Sequence, residues 1–241
     1  MDSDAEDPLE RLEQDRRGSR GARLEFQEQL EAANARLVEA ARVVADSILP
    51  VTMAFLEADN HAAEEFRDAE LQLRERCREL QEYGYLLLAR QGPVAVDLRR
   101  VVATLLSAAD IERSGNLLAH VAESLAWVHP PALPADLRTT VRQLGERSSE
   151  VFARAVEAWQ THDPLAAIEL NELDDDVDML QKVLLTEIYT GRRSVEEAVT
   201  LALLARYYER IADHGVELAR QVTYFVTGER VLTDRDDEDD L

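Results

Sequence analysis

The 241-residue sequence predicts an all-α protein built as two tandem three-helix bundles. Six long segments place apolar residues at spacings of three and four, the period of a helix that buries one face. The nine Gly and seven Pro gather at a handful of breaks, while Ala, Leu, Glu and Arg dominate elsewhere. Alternation of the strand type is hard to find anywhere along the chain.

The segments run at about 22–58, 60–90, 93–128, 134–161, 164–190 and 194–227. Pro50 falls inside the first, where its missing amide donor and ring clash predict a kink. Gly92-Pro93 ends the second and puts proline at the first position of the third. Pro130-Pro131 interrupts the middle of the chain, and Asp163-Pro164 restarts the fifth segment. Gly191 stops it, and Ser194 supplies an N-cap for the sixth. Residues 1–21 carry dense charge without apolar periodicity, so a disordered arm is expected there; the acidic run at 229–241 reads as a solvated tail.

Helices of this length joined by short turns pack as antiparallel bundles. The stretch His129–Pro134 divides six helices into three and three, giving bundles at 22–129 and 134–228. A repeat is visible between the third and sixth helices: Ile111-Glu112-Arg113 and Tyr208-Glu209-Arg210 occupy matching places, with Glu112 and Glu209 separated by 97 positions.

Charge narrows the function. The formal net charge is −22, from 49 acidic against 27 basic residues, which opposes contact with nucleic-acid phosphates or anionic lipid. Cys77 is the sole cysteine, so no internal disulfide forms. The acidic start lacks the basic and apolar regions of an export signal. No apolar run approaches the roughly 20 residues of a membrane span. A cytoplasmic location is expected.

One constellation has the makings of a site. Glu209 and Asp213 lie four apart on one helical line that Glu217 extends, beside apolar Leu203, Ile211 and Leu218. Asp174 and Asp178 repeat the spacing on the fifth helix, with Asp175 between them and Val177 and Leu180 marking the buried side. An antiparallel hairpin about Gly191 brings the two pairs toward each other. Four carboxylates from two helices would make a hard oxygen cage for magnesium, manganese, calcium or iron. The alternative is a set of ordinary acids paired with Arg206, Arg210 or Arg220.

In the first half the corresponding line reads Glu112, Asn116, His120, facing a helix that offers Glu64, Asp68 and Glu70. Fewer charges converge, so the second bundle is expected to be the better metal site. His214 points about 100° away from the acidic line, suiting packing or support. Trp127, Trp159, Tyr207 and Tyr208 read as core or bundle-end packing. The Glu-x-x-His pattern of di-iron bundles, glycine-rich phosphate loops, nucleophile elbows and Cys-x-x-Cys pairs are all missing, so no catalytic or cofactor-binding residue is assigned.

Tyr208-Glu209-Arg210-Ile211-Ala212-Asp213-His214, followed by Tyr224-Phe225-Val226-Thr227-Gly228, resembles the closing signature of the PhoU regulators of phosphate transport. Gln91-Gly92-Pro93-Val94-Ala95-Val96-Asp97-Leu98-Arg99 and Asp110-Ile111-Glu112-Arg113 resemble the family's first copy, and the similarity spans about 22–228. The resemblance implies tandem three-helix bundles with multinuclear clusters of divalent or iron-type ions on Glu/Asp-x-x-x-Asp motifs. Those motifs fall here on Asp174, Asp178, Glu209 and Asp213, with Asn116 departing from the pattern in the first copy. It further implies a negative regulator that communicates between the ATPase subunit of a phosphate ABC transporter and a sensor histidine kinase, as a cytoplasmic homodimer. A carboxylate-bridged metal enzyme and a metal-free helical adaptor are the alternatives.

Overall fold

The computed structural model describes residues 8–231, with side chains from 21 onward except at 22 and 91. Six helices follow one another: α1 Pro8–Glu57, α2 Asn60–Gln91, α3 Ala95–Glu123, α4 Ala135–Thr161, α5 Ala166–Thr190 and α6 Val195–Thr227. Short 3-10 turns at Ser124–Ala126 and Pro130–Ala132 fill the link between halves. No strand occurs among the described residues.

α1 to α3 pack mutually, as do α4 to α6, and the two triplets join through α1 against α4 and α3 against α6. The four helices α1, α3, α6 and α4 thus close a ring, each packed on the next, with α2 against α1 and α3 at one edge and α5 against α4 and α6 at the opposite edge. A continuous core results, from Leu37, Ile48 and Phe55 of α1 to Phe152 and Trp159 of α4 and Tyr208 and Leu218 of α6. Matching contacts within each triplet make the repeat visible in three dimensions.

The breaks form where the turn residues stand. Asp59 caps α2 by accepting from the amides of His61 and Ala62, and Gly92 closes it in the left-handed region at φ 52°. Ser194 Oγ accepts from Glu197 N at 3.1 Å to open α6, and Gly228, at φ 85°, ends it. α3 and α5 begin two residues beyond Pro93 and Pro164; Val94, with extended backbone, caps α3.

Three expectations need correction. α1 starts at Pro8 rather than near 22: proline suits the first helical position, and Leu9-Glu10-Arg11-Leu12-Glu13-Gln14 all favour helix even without an apolar stripe. Pro93 stands before α3 rather than at its first position, which Ala95 takes after Val94 caps the helix, while α1 runs through Pro50 as a single helix. Trp127 lies in solvent at 65% exposure, because α3 gives way to the 3-10 turn before it, whereas Trp159 and Tyr208 are buried. The expectations for residues 1–7 and 232–241 fall outside the described residues.

Candidate acidic site on the fifth and sixth helices

α5 and α6 form the antiparallel hairpin the sequence predicts. Asp174 lies on the buried face of α5 with Leu170 and Val177, and Glu209 on that of α6 with Tyr208 and Ile211. Both acids are only 6% exposed. Asp178 and Asp213 are half-buried, each one turn along from its partner acid. Arg220 of α6 reaches across to donate to Asn171 Oδ1 of α5 at 3.3 Å, so the face of α5 carrying Asp174 and Asp178 looks toward α6. All four acids are engaged with neighbouring groups.

Arginine is one such neighbour. Arg206, one turn back on α6, pairs with Glu209. Arg220 stands 3.6 Å from Glu217, which also accepts from Gln221. Burying a carboxylate without a cation or hydrogen bonds is costly, so these pairs compensate the repulsion between acids four residues apart. Asp175 faces solvent, and Leu203, expected beside the core, is exposed.

The first half gathers its candidates differently. Glu64, Asp68, Glu70 and Asn116 line one cleft of about 470 Å³ between α2 and α3, and Glu112 lies in an adjoining hollow with Arg74 and Arg113. Arg74 donates to buried Glu70 at 2.7 Å, Arg113 to Asp110 at 3.1 Å, and Arg67 stands 3.8 Å from Glu123. Arg67 and Arg74 went unmarked in the sequence, where Asp110 and Arg113 stood out only as members of the repeated motif. The signal was present: each of Arg74 and Arg113 lies one helical turn from its acid.

The carboxylates suit a hard cation in kind. Their placement does not close around one: among the described residues no group of three or more His, Cys, Asp or Glu side chains is arranged to hold a metal ion. Arginines already stand against Glu70, Asp110, Glu209 and Glu217.

His214 has a partner that sequence spacing could not reveal. Its Nδ1 lies 3.4 Å from Asp110 Oδ1, joining the acidic motif of α6 to that of α3. Nearby, Thr52 of α1 and Tyr208 share a hydroxyl hydrogen bond of 2.7 Å, and Ser148 of α4 donates to the Tyr208 carbonyl at 3.2 Å. Burial pushes the Tyr208 phenol above its ordinary range. The motif segment is therefore tied to three other helices and sits on a rigid base.

Comparison with known proteins places this architecture. The family described as PhoU domain matches twice, at residues 37–125 and 141–222, one copy in each triplet of helices. PhoU homolog 2 of Mycobacterium tuberculosis, named a phosphate-specific transport system accessory protein, is 35% identical over 209 residues, covering 86% of this chain and 98% of the relative. PhoU homolog 1 of Mycobacterium leprae is 34% identical, covering 86% and 94%. The crystal structure of PhoU from Pseudomonas aeruginosa superposes with a TM-score of 0.79 at 26% identity, covering 85% of this chain and all of that one. No helix among the described residues is long and apolar enough to cross a membrane.

Proposed function

The chain belongs to the PhoU family, and on that premise we propose that it is a cytoplasmic negative regulator of phosphate uptake and of the phosphate-starvation response. It is read as an adaptor between the ATPase subunit of a phosphate ABC transporter and a sensor histidine kinase. The observation that carries the reading is the twofold family match laid over two mutually packed bundles, together with the accessory role named for its relatives. A rigid helical scaffold with a strongly acidic surface suits holding partners in place.

The chain's own residues supply three things in this reading. The buried Thr52–Tyr208 bond and the Asp110–His214 contact hold the two repeats in one register. The acids of α5 and α6 set a negative face beside that junction. The lack of net positive charge keeps nucleic acid away. Repression is tested with a reporter for phosphate-starvation genes in cells lacking the gene: expression in phosphate-rich medium should rise, and an unchanged level sinks the reading.

Metal uptake belongs to the proposal only at Asp174, Asp178, Glu209 and Asp213, whose carboxylates would have to converge from their present positions. Elemental analysis of the purified protein beside Glu209→Ala/Asp213→Ala tests it: bound metal lost in the double variant supports it, and metal-free wild type contradicts it. A metal-free form of the same adaptor is the second reading, favoured by the arginines paired with Glu70, Asp110, Glu209 and Glu217.

A further inference from the structure

We propose that the groove between the end of α3 and the first turns of α6 seats an amphipathic helix of a partner protein, one with an apolar stripe flanked by lysine or arginine. The inference rests on the adaptor reading and names the chemistry of the adaptor's partner. The groove encloses about 410 Å³. Val195, Val199, Leu203 and Tyr207 stand four apart along α6 and so form one line on it, with Trp127 lining the other side. Val195, Val199 and Leu203 are largely exposed, as is Trp127. At 1.5 Å per residue the line is roughly 18 Å long, which is about three turns of a docked helix.

An apolar row beside an exposed indole is the surface that a helix-in-groove partner covers. Its charge selects among occupants. Glu123 and Glu196 line the groove, with no Lys or Arg among the lining residues. A second copy of the chain would bring its own charge of −22 against those glutamates, whereas a basic-flanked helix gains from them. Wholly apolar or acidic helices would forgo that gain.

The test uses the full chain and a synthetic amidated peptide of about 18 residues, leucines on one face and lysines on the other. A second peptide carries glutamates in place of the lysines. Trp127 is the exposed one of the two tryptophans, so a blue shift of its emission reports filling of the groove. Saturable binding of the lysine peptide is expected, weakened at least roughly tenfold by Val199→Asp/Leu203→Asp and several-fold by Glu196→Lys. The aspartates add negative charge, so attraction between a basic peptide and an acidic surface alone would not weaken. Both sites are exposed, so the melting curve should be unchanged.

Equal binding of the glutamate peptide overturns the proposal, as does an affinity for the lysine peptide that the aspartate pair leaves within about twofold. A wild-type dimer that the same pair splits into monomers also overturns it, since the occupant is then a second copy. In cells, a deletion without effect on starvation genes defeats the adaptor reading. A deletion that derepresses them while Val199→Asp/Leu203→Asp restores full repression defeats the groove alone.

Discussion

His214 Nδ1 stands 3.4 Å from Asp110 Oδ1, a contact between the sixth helix and the third in which the side chains are 13% and 10% exposed. Each residue belongs to one copy of the repeated motif, so the contact couples the two repeats where their signatures lie. Arg113, itself exposed, donates to the same Oδ1 at 3.1 Å, so the Asp110 carboxylate is engaged from both helices.

Breaking these contacts should loosen the docking of the repeats. His214→Ala or Asp110→Asn is expected to lower stability by about 1–3 kcal/mol, since each leaves a mostly buried group short of a partner. A double-mutant cycle in denaturant should return a coupling of about 0.5–3 kcal/mol. Strict additivity would mean that the two side chains merely sit side by side.

Gly145 marks another close approach. A Cβ there would meet Thr52 Cγ2 at 2.6 Å and Cβ at 2.8 Å, and Thr52 is held by its bonds to Tyr208 and the Ile48 carbonyl. Gly145→Ala is therefore expected to cost about 1–3 kcal/mol despite the better helix propensity of alanine. A melting temperature equal to or above wild type would show that α1 and α4 can separate freely.

Cys77 should be chemically silent. It is fully buried, and burial with the nearby Glu112 charge pushes its thiol up to about 12. Iodoacetamide at pH 8 is expected to leave the folded protein unmodified and to alkylate it fully in denaturant. Rapid labelling of native protein would contradict the packing of α2.

His162, at the end of α4, gives the protein a pH dependence of known sign. Partial burial first, and the Arg100 charge second, hold its imidazole below the ordinary value of 6.5, against a smaller opposing effect of Glu31. The unfolded chain then binds the proton more readily, so stability is lost as pH falls from about 6.5 toward the lowered folded value. His162→Asn keeps a residue tolerant of the left-handed backbone found there, at φ 55°, and should flatten that slope in chemical denaturation. An unchanged slope would assign the effect to other groups.

Much of the fold was legible because its punctuation is local. Gly92, Gly191 and Ser194 act through their own backbone or side chain within a turn of the break, and apolar spacing identifies the faces that Leu37, Phe152 and Ile211 bury. What escaped the sequence depends on neighbouring helices. Asp110 meets His214 only because α3 packs on α6, and that register leaves no trace in either helix's periodicity. Trp127 reads as core by residue type, yet the chain leaves the helix just before it. The acids of α5 and α6 were found as a set, whereas the arginines that pair with Glu209 and Glu217 appeared only as the alternative account of those acids.

Phosphate uptake itself tests the regulatory reading most directly. Initial rates of labelled phosphate uptake would be compared, in phosphate-rich medium, among cells carrying the gene, cells lacking it and cells with the gene restored. The account predicts a higher rate on deletion and a return to the parental rate on restoration. Identical rates in all three strains would contradict it.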